Sequence, residues 1–69
     1  MDIAKRIGEN IKQARKDKGY TQKEVASVLH MTQQQYSRFE NGVFEMNYAQ
    51  ILAVCKLYDV TPNDLYPVD

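Results

Sequence analysis

Residues 21–42 have the sequence TQKEVASVLHMTQQQYSRFENG, in which one helix-start signal occurs twice. Thr21 and Thr32 can each accept a hydrogen bond from a free amide in the first turn of a helix. Glu24 and Gln35 stand three residues later, where their side chains can bond back to the capping residue. This capping-box pattern predicts that one helix begins after residue 21 and another after residue 32.

The two predicted helices are short, and the connection between them is shorter still. The first covers residues 21–29, the second covers residues 32–40, and only His30 and Met31 lie between them. Gly42 follows the second helix closely and is a strong stop signal. So tight a connection forces a steep angle between neighbouring helices, as in a helix-turn-helix unit. The second helix is therefore expected to project from the domain.

Apolar residues recur at helical spacing on both sides of this unit. A helix over about residues 2–18 is predicted, and its apolar stripe consists of Ile3, Ile7, Ile11 and Ala14. A fourth helix is capped by Asn47, and its expected buried residues are Tyr48, Ile51, Leu52, Cys55 and Tyr58. A short fifth helix begins at Thr61-Pro62, because proline is favoured at the first helical position. No strand pattern occurs, so we expect an all-α fold of five helices.

Length and composition exclude several classes of protein. The 69 residues suffice for one domain, residues 1–69, and contain neither an apolar run of membrane-spanning length nor a signal-peptide pattern. Cys55 is the only cysteine, which excludes an internal disulfide and makes a structural zinc site improbable. We expect a cytoplasmic protein with no metal and no cofactor.

The formal net charge is zero, but the charges are unevenly distributed. Residues 1–30 contain seven basic and four acidic residues, a net charge of +3, whereas residues 31–69 contain two basic and five acidic residues, a net charge of −3. Such a division can give the domain one basic and one acidic face. Two ordinary solvated surfaces are an equally good interpretation.

The outer side of the third helix carries an unusual density of side-chain amides. A projection at about 100° per residue places Tyr36 and Phe39 on the inner side. The expected outward residues are Gln33, Gln34, Ser37, Arg38 and Asn41, with Gln33 at the edge. A glutamine amide can match the N6 and N7 edge of adenine, and arginine can match O6 and N7 of guanine. This surface predicts contacts with DNA bases, the alternative being a glutamine-rich surface without a specific role.

Several spaced segments resemble the Cro and phage-repressor helix-turn-helix family, which has the lambda-repressor-like fold. The segments are Gln22-Lys23-Glu24-Val25-Ala26, Thr32-Gln33-Gln34 and Phe39-Glu40-Asn41-Gly42, and the resemblance extends from Ile7 to Leu65. It implies a compact five-helix DNA-binding domain with its helix-turn-helix at helices 2 and 3. It also implies a prokaryotic or phage-encoded protein.

The resemblance also implies roles for individual residues. The base-contacting set is Gln33, Gln34, Ser37 and Arg38, and the phosphate-contacting set is Thr21, Gln22 and Asn41. A phosphate contact by Gln22 also agrees with the anion-binding tendency of a helix N-terminus. Arg15 and Glu40 match a pair of opposite charges that connects the first helix to the third and so positions the base-contacting helix.

Residues 43–46 depart from the family pattern. Many relatives have basic residues and a proline here, whereas this chain has Val43-Phe44-Glu45-Met46. Because Glu45 repels phosphate, we expect weaker non-specific DNA binding than in a basic homologue. Phe44 is expected to pack under the loop as part of the core, in preference to contacting a partner.

The C-terminal aromatic and apolar residues allow two interpretations. Tyr58, Leu65, Tyr66 and Val68 can belong either to the core or to a dimer patch. So many aromatic residues at the last helix of a small domain favour at least a partial interface role.

Four functions are compatible with the sequence. The leading hypothesis is a homodimeric repressor that binds an inverted-repeat DNA operator through helix 3 in the major groove. The second is a DNA-binding antitoxin, or a phage or plasmid control protein, with a separate protein partner. The third is a protein-interaction module that has lost DNA binding. An enzyme is the weakest candidate, because the sequence has no catalytic pairing, no glycine-rich phosphate loop and no metal-ligand cluster.

Overall fold

The computed structural model describes residues 2–66, which form five α-helices and contain no strand. The helices are α1 (Ile3–Lys18), α2 (Gln22–Val28), α3 (Gln33–Glu40), α4 (Tyr48–Tyr58) and α5 (Pro62–Leu65). The all-α fold predicted from the sequence is therefore confirmed. Among these five helices, none has both the length and the apolar character that crossing a bilayer requires.

The predicted capping boxes at the starts of α2 and α3 are confirmed. The amides of Glu24 and Gln35 each donate to the hydroxyl of the capping threonine, Thr21 and Thr32 respectively, over 3.1 Å. The side chains of Glu24 and Gln35 accept from the threonine amides at 2.9 Å. Since a side-chain N-cap stabilises a helix by about 1 kcal/mol, these bonds help two helices that are too short to persist alone.

The turn between α2 and α3 depends on His30. Its φ of 58° lies in the left-handed region, which few residues other than glycine adopt. Two backbone bonds close the turn: the His30 amide donates to the Ser27 carbonyl at 3.2 Å, and the Met31 amide donates to the Ala26 carbonyl at 3.0 Å. These bonds reverse the chain within a few residues and bring α3 back against α2.

The core is formed by side chains from all five helices. Its largest fully buried side chains are Tyr36, Tyr58, Ile11, Ile51, Leu65, Val25 and Val54. The two tyrosine hydroxyls are hydrogen-bonded to each other, so neither polar group is buried without a partner. Tyr36 thereby fixes the inner side of α3, and the opposite side of that helix must face outward.

Two glycines let α1 approach the end of α3 closely. A Cβ atom added at Gly8 would lie 2.5 Å from the carbonyl oxygens of both Phe39 and Glu40. A Cβ added at Gly42, whose φ is +75°, would lie 2.5 Å from the Cα of Lys5. Gly42 was predicted as a helix stop, whereas nothing in the local sequence indicates why position 8 is a glycine.

The buried side of α4 was predicted wrongly in part. Ile51, Cys55 and Tyr58 are buried as expected, whereas Tyr48 is 74% exposed and Leu52 is 44% exposed. Val54, which was not in the predicted set, is fully buried. Because α4 carries apolar residues all round, its hydrophobic periodicity does not define one face, and packing against α1 and α5 decides the outcome.

Two further expectations about single apolar residues are contradicted. Ile3 was placed on the buried stripe of α1, but it is 54% exposed, and the buried residues of this helix begin only at Gly8. Phe44 was expected to join the core, but it too is 54% exposed. The loop that carries Phe44 is hydrogen-bonded to the last turn of α3, through the Arg38 carbonyl, and this keeps the ring near the surface.

The dimer patch predicted from the C-terminal residues is wrong for Tyr58 and Leu65. Each is only 1% exposed, since both side chains pack into the core of the same chain. Tyr66 is 40% exposed and remains accessible to a partner. Val68 lies outside the described residues.

Candidate nucleic-acid interface

The outer side of α3 and the first residue of α2 form one continuous surface. Gln22, Gln33, Gln34, Ser37 and Arg38 together line an open concavity. Gln33, Gln34 and Arg38 are exposed, and Gln22 and Ser37 are partly buried. The four residues predicted to contact bases are thus adjacent to one another, and one of the residues predicted to contact phosphate lies beside them.

The three consecutive glutamines of α3 have different roles. The side-chain oxygen of Gln35 accepts the Thr32 amide at 2.9 Å, so this glutamine belongs to the capping box. Gln33 and Gln34 have no comparable bond among the hydrogen bonds of residues 2–66, and their amides face outward. Two amides are therefore available to an external ligand, each able to present a donor and an acceptor.

The three predicted phosphate contacts already make hydrogen bonds within the chain. The Gln22 amide nitrogen donates to Glu40 Oε1 at 3.0 Å, and the Asn41 amide nitrogen donates to the Ser37 hydroxyl at 3.2 Å. The Thr21 hydroxyl accepts the Glu24 amide. Each amide nitrogen retains a second hydrogen, and the threonine hydroxyl retains its own hydrogen, so all three residues can still donate outward.

Glu40 is the centre of a buried polar network that connects three helices. Its Oε2 lies 2.7 Å from Nε of Arg15 in α1, and its Oε1 accepts from Nη2 of Arg15 at 3.2 Å and from Gln22 in α2. The Glu40 side chain is 0% exposed and that of Arg15 is 11% exposed. Arg15 also donates to the Tyr20 carbonyl at 2.8 Å. The network therefore fixes α3 relative to both of its neighbours.

The ionisation of Glu40 follows from these contacts. Burial by itself would raise the pKa of its carboxyl group. Hydrogen bonds from Arg15, Tyr36 and Gln22 outweigh that effect, and the pKa lies below its usual value. On the other side of the pair, the hydrogen bond to Glu40 raises the pKa of Arg15. Both groups are charged at neutral pH, so the contact is a bidentate ion pair.

The loop after α3 is attached to the same surface. The amides of Val43 and Phe44 both approach the Arg38 carbonyl, at 2.9 and 3.4 Å. The Arg38 guanidinium carbon lies over the Phe44 ring, 5.8 Å from its centroid. Phe44 was predicted to depart from the family pattern, but its contact with Arg38 was not predicted. The sequence pattern that could have predicted the contact is an arginine six residues before an aromatic residue, with a helix stop between them.

Residues 2–66 contain no cluster of three or more His, Cys, Asp or Glu side chains with the arrangement of a metal site. Cys55 is a free, buried thiol whose pKa is raised by burial. A thiol in that state is a poor nucleophile.

A family model described as helix-turn-helix matches residues 11–65. The chain belongs to the helix-turn-helix family. This membership confirms the resemblance to the Cro and phage-repressor type. It rests on a match to most of the chain, including the whole surface formed by α2 and α3.

Two bacterial proteins have sequences similar to this one. The antitoxin PezA of Streptococcus pneumoniae is 33% identical over 91% of this chain, which spans 40% of the length of PezA. An uncharacterized HTH-type transcriptional regulator of Sinorhizobium fredii, y4dJ, is 36% identical, and the match covers 97% of this chain and 95% of y4dJ.

Two crystal structures have the same fold. The clp gene regulator ClgR from C. glutamicum superposes with a TM-score of 0.82 at 24% identity, covering 91% of this chain and 82% of ClgR. The DNA-binding domain of BldD superposes with a TM-score of 0.81 at 18% identity, covering 94% of each chain. At these identities the comparison establishes the architecture of the five helices.

Proposed function

We propose that this protein is a transcriptional regulator, acting as a repressor, that binds a specific double-stranded DNA sequence with α3 in the major groove. The proposal rests on one observation, the grouping of polar side chains on the outer side of α3. This side presents Gln33, Gln34, Ser37 and Arg38 together, while Tyr36 and Glu40 lock the inner side into the fold. The major groove of B-DNA admits a helix with this arrangement.

The chemistry of this surface matches base edges. Gln33 and Gln34 can each form a bidentate contact with adenine, and Arg38, about one turn further along α3, can do the same with guanine. Ser37 can contact either kind of base. A half-site that contains both A·T and G·C pairs is therefore the expected target.

Phosphate contacts would orient α3 on the duplex. Gln22 and Thr21 stand at the N-terminus of α2, where free amides favour an anion, and Asn41 stands at the C-terminal end of α3. These contacts carry no sequence information, and they fix the register of the protein on the DNA.

We further propose that residues 1–69 act as one DNA-binding domain in the cytoplasm of a prokaryote, without catalysis and without a cofactor. Similarity to two bacterial proteins supports this origin. Membership of the helix-turn-helix family supports a role without catalysis.

The proposed repressor acts as a homodimer. Two-fold symmetry would place two copies of α3 about 34 Å apart, in successive major grooves. Of the predicted dimer-patch residues that lie within residues 2–66, Tyr66 alone is exposed. Sedimentation velocity of the wild type and of Tyr66→Lys tests this surface, and a monomer at every concentration, with and without operator DNA, would refute the dimer.

The base-contacting role is tested on an operator obtained by selection from a random duplex pool. Gln34→Ala should lower the preference for one base by about 1–3 kcal/mol and relax specificity at that position. Gln22→Ala should weaken binding to all sequences alike, and Gln13→Ala, an exposed glutamine on α1, should change nothing. Equal losses on every sequence from the first two variants would contradict the assigned roles.

A second candidate is a DNA-binding antitoxin, or a phage or plasmid control protein, with a separate protein partner. The similarity to antitoxin PezA favours it. Co-expression with the product of a neighbouring gene, followed by size-exclusion chromatography, distinguishes this candidate from a free-standing repressor. Failure to retard any DNA at low salt, together with a stable hetero-complex, would instead indicate a protein-interaction module.

A further inference from the structure

Arg38 and Phe44 form an exposed contact that belongs neither to the core nor to the capping boxes. The Arg38 guanidinium carbon lies over the ring at 5.8 Å from the centroid, within the range in which a cation is attracted to an aromatic face. Both side chains are exposed, so packing alone does not require the contact. The acidic residue next along the chain, Glu45, forms no ion pair with Arg38 among the salt bridges of residues 2–66.

The backbone is built so that the ring reaches this position. Gly42 adopts a φ of +75°, and its amide donates to the Phe39 carbonyl at 3.2 Å. The next two amides, those of Val43 and Phe44, converge on the carbonyl of Arg38 itself. The backbone of Phe44 is therefore hydrogen-bonded to Arg38, the same residue whose side chain the Phe44 ring contacts.

The contact leaves the guanidinium free to bind a base. A planar guanidinium stacks on a ring through its face, whereas it donates hydrogen bonds from its edges. A bidentate contact with guanine uses one edge, so ring and base can be engaged together. A long arginine side chain also loses considerable rotamer freedom on binding, and a side chain that is already held loses less.

We propose that Phe44 is a positioning residue for Arg38, holding its guanidinium for contact with a guanine edge and so strengthening the preference for guanine at one position of the half-site. The proposal rests on the proposed function, because it assigns Arg38 to a base. It also gives residues 43–46, which lack basic residues, a part in sequence recognition in place of a phosphate contact.

The test compares Phe44→Leu, which keeps an apolar side chain but has no aromatic face, with Phe44→Trp, which keeps that face. Binding is measured on the selected operator and on operators substituted at each base pair. Phe44→Leu should lower discrimination at the Arg38 base pair by about two- to five-fold, the range expected for an exposed cation–π contact. Phe44→Trp should retain discrimination, and discrimination at the Gln34 base pair should be unchanged in both variants.

The Arg38→Ala background shows whether Phe44 acts on base preference through Arg38 or only supports the fold. In that background Phe44→Leu should cause no further loss of discrimination. If Phe44→Leu leaves discrimination intact, lowers it equally at every base pair, or lowers it further in the Arg38→Ala background, the proposal is overturned.

A measurement on the free protein separates this proposal from the proposed function. In the wild type, the ring current of Phe44 should displace the side-chain proton resonances of Arg38 in the NMR spectrum, and Phe44→Leu should abolish the displacement. A missing displacement would refute the positioning contact even if the protein binds DNA. A displacement in a protein that binds no duplex would show that the contact exists while the proposed function, and with it the effect on base preference, fails.

Discussion

Removing one partner of the Arg15–Glu40 ion pair should destabilise the fold more than the loss of any other polar contact of α3, because it leaves a buried charge uncompensated. The substitution Arg15→Met keeps an apolar stem and removes the charge. It would leave a carboxylate whose side chain is 0% exposed and which keeps the hydrogen bond from Gln22. Removing one partner of a buried pair costs about 3–5 kcal/mol, and because the bond from Gln22 remains we expect a loss at the lower end, about 3 kcal/mol.

Such a loss is large for a chain of this size. At roughly 0.05–0.15 kcal/mol per residue, 69 residues give a free energy of unfolding of roughly 3–10 kcal/mol. Glu40→Gln keeps the shape of the side chain and leaves Arg15, which is 11% exposed, some access to water. We expect a smaller loss from this variant, about 2 kcal/mol.

Urea unfolding followed by far-UV circular dichroism measures all four members of the double-mutant cycle. Because Arg15→Met removes the bond to the Tyr20 carbonyl with or without Glu40, that loss cancels in the cycle. The double variant should be more stable than the sum of the single losses predicts, by about 2 kcal/mol. Losses that add to within about 0.5 kcal/mol would refute a stabilising coupling between the two residues.

Three further predictions concern stability. Gly8→Ala should destabilise by about 1–3 kcal/mol in thermal unfolding, since its Cβ would meet two backbone carbonyls; a stabilised variant, as helix propensity alone would give, would contradict this close approach. Thr32→Ala should cost about 1 kcal/mol in urea unfolding, against less than about 0.5 kcal/mol for the exposed Ser27→Ala, and equal losses would count against the cap. The pKa of Glu40 is lower in the folded state than the ordinary value of 4.5, so its contribution to stability is complete above about pH 4.5 and is lost as the pH falls through the lowered pKa. In acid titrations of the free energy of unfolding, the difference between wild type and Glu40→Gln should therefore shrink below pH 4.5, and a constant difference would contradict this assignment.

The local signals of the sequence were sufficient for the helices and for the outer side of α3. Thr21, Thr32 and Asn47 predicted three helix starts correctly, because a capping box involves only residues that are close in the sequence. The projection of α3 also placed Tyr36 and Phe39 on the inside, since two aromatic residues opposite several polar ones define a face; Tyr36 is fully buried and Phe39 is partly buried.

Features that depend on distant contacts could not be predicted in the same way. The apolar residues of α4 surround the helix, so only packing against other helices decides that Val54 is buried and Tyr48 is exposed. The need for a glycine at position 8 could not be predicted, because the carbonyls that exclude a side chain there belong to α3. The exposure of Phe44 likewise depends on how the loop is attached to Arg38.

The proposal that the outer side of α3 binds base edges is tested most directly by NMR titration of the ¹⁵N-labelled protein with the selected operator duplex. We expect the largest shifts at the side-chain amides of Gln33 and Gln34, together with the backbone amides of α3, and little change at the Gln13 amide on α1. Shifts confined to another surface, such as the exposed side of α4, or no shifts at low salt, would contradict the proposal.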